Sequence, residues 1–288
     1  MRQFSIKELE RFSGIKAHTI RVWEQRHSAF TPVRTEANLR RYSLHDLKLI
    51  LDIALLVKYG YKISKLVMLT AEEIEQRTAA LKDIDAQRGK LINNLIYCMY
   101  ATDVAEFERQ LDEAVKLWGV DATIEEVIIP FLERVQLLSY SNDSAEAHFV
   151  VTALRRKLIM GIEAATAATA VQQTALLFLP KDEHYDLMLL YANYVLKKCG
   201  LTVLYLGTNI SKENLEKVCM EKKPGLLISY IYPKQSFALA EYTAAISRHL
   251  PAAKLYIVYA PDDAYMPTAS NVQFIPYKEL DKLCKEYC

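Results

Sequence analysis

The sequence has few glycines and prolines and no long hydrophobic run. Its 288 residues include 8 glycines and 9 prolines, too few for a collagen-like or linker-dominated chain. No uncharged stretch approaches the roughly 20 residues of a membrane-spanning helix. Charged residues interrupt the first twelve positions, so no apolar signal region is present there. We therefore expect a cytoplasmic protein that is neither secreted nor inserted in a membrane.

Cysteine and histidine are also scarce and scattered. None of the five cysteines forms a Cys-x-x-Cys pair, which indicates reduced thiols. The six histidines show no metal-ligand spacing. Cys284 and Cys288 are four residues apart and could meet one soft metal ion, or they are free thiols on a terminal segment. The sequence also contains no phosphate-binding loop, zinc-protease or serine-hydrolase motif, which argues against an enzyme.

The charge is distributed unevenly along the chain. The formal net charge is +1, but residues 1–70 contain 13 Lys and Arg against 6 Asp and Glu. Residues 71–288 contain 23 against 29. A basic N-terminal segment, here called the head (residues 1–70), on a mildly acidic remainder predicts that the head binds a polyanion.

The hydrophobic periodicity predicts three domains, at residues 1–75, 76–170 and 171–288. Capping boxes predict helices after Ser5, Ser43, Thr70 and Thr123. Beyond residue 170, strands alternate with helices, which predicts a parallel sheet with right-handed crossovers. The predicted fold class is multidomain α + α/β: an N-terminal winged helix-turn-helix, a central helical bundle and a C-terminal doubly wound sheet of the Rossmann-like or flavodoxin-like kind.

The elements predicted for the C-terminal domain follow the chain in a regular order. They are a strand at Thr174–Leu179, a helix at His184–Cys199, a strand at Thr202–Leu206, a helix at Ser211–Lys222, a strand at Leu226–Tyr230, a helix at Gln235–His249, strands at Leu255–Tyr259 and Val272–Ile275, and a terminal helix. Ligands of such sheets bind outside the carboxyl ends of the strands.

Two short helices joined at Gly14 predict a helix-turn-helix in the head. Ile20 and Trp23 are expected to face inward. The donors expected to read DNA bases are on the second helix and its lead-in: Lys16, His18, Thr19, Arg21, Gln25 and Arg26. A following wing is expected to contact phosphates through Arg34, Asn38, Arg40, Arg41 and Tyr42. The alternative is a solvated basic face without a nucleic-acid partner.

These residues resemble the winged-helix head of MerR-type transcription regulators over residues 2–70. The matching pieces are Ser5-Ile6-x-Glu8, Gly14, Ile20-Arg21-x-Trp23-Glu24, Pro32-x-Arg34-Thr35 and Arg40-Arg41-Tyr42-x-x-x-Asp46-Leu47. The resemblance implies a recognition helix in the major groove and a wing on the phosphates. It also implies a homodimer or homotetramer on inverted-repeat operators in double-stranded DNA.

Residues 85–288 resemble the cobalamin-binding half of MerR-type, light-responsive B12 repressors. That half carries an acidic residue, a histidine and a glycine after its first strand. Asp182 and His184 match the first two, and Leu187 replaces the glycine. The resemblance implies that His184, the one metal ligand expected here, would bind cobalt from below if cobalamin is bound. A carboxylate such as Asp182 would orient the imidazole.

Other marks of that family are changed in this sequence. A Trp and a Glu-His pair above the corrin correspond to Leu137 and Ala147-His148, so the histidine remains. A strand-end Gly-Gly pair that admits the nucleotide tail corresponds to the stretch Ile257-Val258-Tyr259-Ala260-Pro261, where the Tyr259 side chain would take space that the glycines leave empty. Ser229 matches a tail-binding serine. Three alternatives remain: cobalamin, no ligand, or another ligand in an aromatic pocket, whose candidate residues are Tyr185, Tyr230, Tyr232, Tyr259 and Tyr265.

The combined hypothesis is a sequence-specific DNA-binding transcription regulator. Its C-terminal half is expected to oligomerise and to sense a small ligand. The alternatives are a cobalamin-dependent, light-responsive repressor that uses His184, and a constitutive DNA binder whose body only oligomerises. A cobalamin-dependent mutase or methyltransferase is a weaker hypothesis, because the sequence shows no substrate barrel and no catalytic carboxylate pair.

Overall fold

The computed structural model describes residues 2–27, 30, 32–137, 144–166, 172–230, 253–259 and 272–287, excluding the side chains of residues 26, 27, 284 and 287. The backbone divides into two compact units. The first contains Met1–Gln136 and Ser144–Val150, and the second contains Leu137–Asp143 and Val151–Cys288. One helix of 20 residues, Ala145–Ala164, contributes its first turns to the first unit and the rest to the second.

The first unit is helical apart from a small antiparallel hairpin. Its elements are α1 (Ile6–Ser13), α2 (Ala17–His27), β1 (Val33–Arg34), β2 (Arg40–Arg41), α3 (Leu44–Lys58), α4 (Ile63–Leu66), α5 (Ala71–Ala79), α6 (Ile84–Ala101), α7 (Val104–Thr123), a π-helical turn (Ile124–Ile128), α8 (Ile129–Arg134) and the start of α9 (Ala145–Ala164). Complete capping boxes begin α1 at Ser5, α3 at Ser43 and α5 at Thr70, which confirms those three predictions.

The capping box predicted at Thr123 is wrong. Thr123 has helical backbone angles, and its hydroxyl donates to the Gly119 carbonyl at 2.7 Å instead of capping a new helix. The break in α7 lies at Gly119, whose φ of 83° and ψ of 164° interrupt the helix. Glycine adopts this left-handed φ without the Cβ clash of other residues, so the backbone breaks there and not at the Ser/Thr-x-x-Glu pattern.

A buried polar network joins α3 of the head to α6 of the bundle. The Asn93 side-chain amide donates to the Leu51 carbonyl at 3.0 Å and to Asp52 Oδ1 at 3.3 Å. Its own oxygen accepts from Arg134 Nη1 at 2.8 Å. Asn93 and Asp52 are buried, so each depends on these partners. Phe4 also packs on Tyr100 of α6, with ring centroids 5.1 Å apart.

The second unit is built around a parallel five-stranded sheet. Its described elements are the rest of α9, β3 (Thr174–Pro180), α10 (Leu187–Lys198), β4 (Thr202–Ile210), α11 (Lys212–Lys222), β5 (Leu226–Tyr230), β6 (Lys254–Tyr259), β7 (Val272–Pro276), a 3-10 turn (Tyr277–Glu279) and α12 (Leu280–Tyr287). The strand order is β4-β3-β5-β6-β7, and all neighbours are parallel. This is the flavodoxin-like order 2-1-3-4-5, so the predicted doubly wound fold is confirmed.

Two predicted boundaries of the second unit change by more than one residue. The helix predicted from His184 begins at Leu187 with Asp186 as its N-cap residue, so residues 181–186 form a loop. Strand β4 extends to Ile210, beyond the predicted end at Leu206. The predicted helix Gln235–His249 lies outside the described residues. No helix within the described part of the chain is long and apolar enough to cross a membrane.

Candidate functional site

The turn between α1 and α2 fixes the start of the predicted recognition helix. Gly14 ends α1 with a φ of 74°, and its N–H donates to the Glu10 carbonyl at 2.8 Å. The Glu10 carboxylate accepts the N–H of Ala17, the first residue of α2, at 3.1 Å. This bond and the Lys16 ammonium at 3.2 Å lower the pKa of Glu10. Glu10 therefore holds the angle between the two helices.

One face of α2 is available to a partner, and the other is part of the core. Ile20 and Trp23 are buried, as predicted. His18, Arg21 and Gln25 are exposed, as is Lys16 just before the helix, whereas Thr19 is half-buried. The side chain of Arg26 lies outside the described residues. The exposed set supplies cationic and amide donors along one helix face, the groups that read guanine and adenine in the major groove.

The wing is a hairpin of β1 and β2. Val33 pairs with Arg41 and Arg34 pairs with Arg40 in an antiparallel register. Asn38 has a φ of 58°, and its side-chain oxygen accepts from Arg34 Nη1 at 2.6 Å. Arg34 and Asn38 are exposed and Arg41 is half-buried, so these three stay candidates for phosphate contacts.

Glu24 connects the wing to α2 and was not recognised as a functional residue in the sequence. Both of its carboxylate oxygens accept from Arg40 Nε at 3.0 Å, and the Tyr42 hydroxyl donates to Oε2 at 3.1 Å. Tyr42 is fully buried, and burial followed by the Glu24 charge raises its pKa. Tyr42 is therefore a core residue and not a phosphate contact, which corrects that prediction. Arg40 is a structural partner of Glu24 in this arrangement.

The second candidate site lies at the carboxyl edge of the parallel sheet. The order of strands reverses between β3 and β5, which lie side by side although β4 intervenes in the sequence. Ligands of doubly wound sheets bind at this switch point. The loop 181–186 follows β3 there, and Ser229 and Tyr230 end β5. The two sequence-predicted positions His184 and Ser229 therefore lie at the same edge.

The 181–186 loop is held by β4 and leaves its histidine exposed. Asp182, in a left-handed conformation with a φ of 68°, donates its N–H to Asn209 Oδ1 at 2.9 Å. The Asn209 N–H donates to the Glu183 carbonyl at 3.0 Å. His184 and Asp182 are both exposed, and they share no hydrogen bond in the described structure. The imidazole therefore faces solvent without the carboxylate partner that the resemblance implied.

Two buried polar groups at this edge lack a hydrogen-bond partner within the described residues. The Ser229 hydroxyl is one, although only 1% of the residue is exposed. Oε1 of Glu183 is the other, and burial together with the nearby Asp182 charge raises the pKa of Glu183 to about 7. Buried polar atoms are nearly always paired, so both groups mark places where a ligand or water would bind.

The N-cap residue of α10 anchors the loop to α9. Arg155 Nε and Nη2 donate to Asp186 Oδ1 at 3.0 and 2.7 Å. Both side chains are at least half-buried, and 31 residues separate them in the sequence. Charge-assisted pairs of this kind are stronger than neutral hydrogen bonds, so the position of His184 is tied to α9.

The structure describes four more of the residues that the sequence suggested for a cobalamin or aromatic ligand site. His148 is exposed on α9 in the first unit, and Leu137, which takes the place of the family's tryptophan, is buried. Tyr230 is buried in the sheet and Tyr259 is half-buried at the end of β6, whereas Tyr232 and Tyr265 lie outside the described residues. No group of histidine, cysteine and carboxylate side chains in the described ranges can hold a metal ion.

Residues 4–73 match the family model described as MerR HTH family regulatory protein. Residues 4–73 are a MerR-type helix-turn-helix domain. The chain is also similar to two proteins of Myxococcus xanthus. It is 26% identical over 224 residues to the HTH-type transcriptional repressor CarA, covering 77% of this chain and 74% of that protein. It is 26% identical over 233 residues to the HTH-type transcriptional repressor CarH, covering 77% of each.

A solved structure is similar to a large part of the chain. The monomethylamine corrinoid protein of Methanosarcina barkeri aligns with a TM-score of 0.50 and 14% identity, covering 70% of this chain and all of that one. At this identity the comparison establishes the fold alone. A helical bundle followed by a five-stranded parallel sheet is thus a fold found in a corrinoid protein.

The residues at the sheet edge fit a corrinoid at two of the positions that the resemblance names. The His184 imidazole is exposed and free to bind a metal, and the buried Ser229 hydroxyl lacks a partner in the described structure. Leu187 does not fit at the glycine position, because its side chain is fully buried in the second unit and fills interior space that a glycine would leave open. Tyr259 does remain half-exposed where the family has glycine, which narrows the space beside β6.

Proposed function

We propose that this chain is a sequence-specific, MerR-type DNA-binding transcription regulator that works in the cytoplasm as a homodimer or homotetramer on inverted-repeat operators. The observation that carries the proposal is the exposed donor face of α2, held beside a wing by Glu24 within the MerR-type segment. Both curated relatives are repressors, which favours repression. We assign the chain a regulatory and not an enzymatic role.

The DNA-binding part is tested by separating base readout from phosphate contact. Operators are first selected from random duplexes with the full chain, and affinities are then measured across a salt series. Arg21→Ala is expected to relax the preference at one base pair by about 1–3 kcal/mol. Arg34→Ala is expected to weaken binding to all duplexes and to lower the salt slope by about one.

The matched control variant also removes one arginine charge, but at a position outside the proposed DNA interface. Arg77 is exposed on α5, so Arg77→Ala should leave both the base preference and the salt slope unchanged. If Arg21→Ala and Arg34→Ala affect selected and random duplexes equally, the assigned roles are wrong. If no sequence is enriched by selection, the proposal of specific DNA binding is wrong.

A second candidate function is control of DNA binding by cobalamin. The exposed His184 and the unpaired Ser229 hydroxyl at the switch point favour it over a body that only oligomerises. When bound, cobalamin would supply a light-absorbing cobalt centre. The chain would hold it through the His184 imidazole, and the Arg155–Asp186 pair would fix the position of that histidine.

This function is tested by titrating the full chain with cobalamin in the dark. Visible absorbance and gel-filtration mass are recorded before and after green light. A spectral shift that His184→Ala abolishes, with a light-dependent change of assembly, is expected for a cobalamin photoreceptor. An unchanged spectrum at high cobalamin excess would contradict this function and favour another ligand or constitutive DNA binding.

A further inference from the structure

The N-terminal residues Arg2 to Phe4 connect the wing to the helical bundle. The Phe4 N–H donates to the Tyr42 carbonyl at 2.8 Å, and the Tyr42 N–H donates to the Phe4 carbonyl at 2.9 Å. This antiparallel bridge follows β2 directly, because Tyr42 is the residue after Arg41. The N-terminal residues therefore lie against the end of the hairpin that is expected to contact phosphates.

The same residues are fixed on α6 by aromatic contacts. Phe4 is fully buried, and its ring packs edge-on against the Tyr100 ring, with centroids 5.1 Å apart. The Arg2 guanidinium lies 4.3 Å from the centre of the Tyr100 ring, within the distance of a cation–π contact. Tyr100 is 7% exposed, and close packing leaves such a ring little freedom to move. Tyr100 therefore gives Arg2 a fixed place on the bundle.

Arg2 also lies near carboxylates of two different helices. Its Nη2 atom lies 3.7 Å from Glu8 Oε1 on α1, and its Nη1 atom lies 3.7 Å from Glu146 Oε1 on α9. The other Glu8 oxygen accepts the N–H of Ser5 in the capping box of α1. The Arg2 and Glu146 side chains are 31% and 22% exposed, so water screens their attraction only in part. The Glu146 contact thus joins the N-terminal residues to α9.

Neither Arg2 nor Glu146 belongs to the residues 4–73 that match the MerR family model. Their contact therefore adds a helix from outside the MerR-type domain to the elements that hold the wing. A wing that is already held loses less conformational entropy when it meets DNA, so more of its contact energy appears as affinity.

We propose that Arg2 and Glu146 are positioning residues for DNA binding, through which α9 holds the wing in place for phosphate contact. Glu146 acts on Arg2, and the chain from Arg2 to Phe4 acts on the end of β2 through the bridge to Tyr42. The inference rests on the proposed DNA-binding function and adds to it a contribution from outside the MerR-type domain.

The test compares Arg2→Gln, Glu146→Gln and the double variant in the full chain. Affinity for one selected duplex is measured by fluorescence anisotropy across a salt series, under conditions where urea unfolding shows each variant to be folded. Charge alone predicts opposite signs, because Glu146→Gln removes a negative charge that repels DNA. We expect instead that each single substitution weakens binding about three- to fivefold, the effect of a half-exposed ion pair.

Two further readouts separate positioning from charge. The salt slope should fall by up to about one in Glu146→Gln, although this variant loses no cation. The double variant should bind as Arg2→Gln does, because both substitutions remove the same contact.

Glu163→Gln is the matched control, because Glu163 lies on the same helix with a side chain that is 75% exposed. Its affinity should equal or slightly exceed that of the unchanged chain. Tighter binding by Glu146→Gln, or effects that cancel in the double variant, would overturn this inference and leave the proposed function intact. Failure of the unchanged chain to bind any selected duplex would refute the proposed function, and this inference with it.

Discussion

Glu24→Gln tests whether the wing is positioned from the recognition helix. The substitution keeps the side-chain shape and removes the charge that Arg40 and Tyr42 share. The Arg40 and Glu24 side chains are 23% and 14% exposed, between a surface pair and a buried one. Hydrogen bonds to charged groups contribute about 1.5–3 kcal/mol when buried, and exposed pairs contribute about 0–1 kcal/mol. We therefore expect a loss of about 1–2 kcal/mol in the stability of the head.

We expect Glu24→Gln to change the affinity for DNA in the direction opposite to the one that its charge alone predicts. Removing a negative charge from a DNA-binding surface normally strengthens binding to the phosphate backbone. If Glu24 positions the wing, Glu24→Gln should instead weaken binding about tenfold at constant base preference, because the wing loses its phosphate contacts while α2 stays in place. Glu36→Gln is the control: Glu36 is exposed in the same wing, and its loss should leave affinity equal or slightly higher.

Fluorescence anisotropy with one selected duplex and one random duplex measures both effects. Equal or tighter binding by both variants would refute the positioning role of Glu24. A loss of base preference in Glu24→Gln would also refute it, because the damage would then lie in α2 itself and not in the wing.

Three further substitutions test stability. Asn93→Ala leaves the buried Asp52 and the half-buried Arg134 without a shared partner, so a loss of about 2–4 kcal/mol is expected in urea unfolding; a loss below 1 kcal/mol would mean that water replaces the amide. Glu183 has a folded-state pKa of about 7 against an ordinary 4.5, so it costs stability as pH rises from 4.5 through 7. Glu183→Gln should remove that decline, up to ~3 kcal/mol, and an unchanged pH profile would exclude the raised pKa. Gly14→Ala should cost about 1 kcal/mol, because its φ of 74° strains a residue with a Cβ; an unchanged melting temperature would mean that the turn relaxes.

The elements that sequence reasoning predicted well are those encoded by neighbouring residues. Ser5 and Ser43 each begin a helix whose third residue returns the cap hydrogen bond, so four consecutive residues contain the whole signal. Strand β5 agrees with its predicted ends at Leu226 and Tyr230, because a run of five residues suited to a buried strand follows directly after Gly225. The inward positions Ile20 and Trp23 followed from helical spacing alone.

The errors occur where a partner distant in sequence decides the outcome. The Tyr42 hydroxyl has the donor chemistry of a phosphate contact. Two backbone hydrogen bonds with Phe4, at 2.8 and 2.9 Å, and the bond from the hydroxyl to the Glu24 carboxylate instead hold the side chain in the core. The predicted helix from His184 begins three residues later, because Asp186 is held by Arg155, which lies on another helix. Local propensity contains no information about either pairing.

The same kind of long-range pairing orders the loop of residues 181–186 at the sheet edge. A flexible loop loses conformational entropy when it becomes ordered, and this costs about 1–2 kcal/mol of free energy for each residue that becomes fixed. Asn209 and Arg155 hold residues 182, 183 and 186 through contacts within the protein. The backbone on both sides of the exposed His184 is therefore fixed by protein contacts. The contacts that hold this loop therefore come from β4 and α9, and Leu187 begins α10 directly after it.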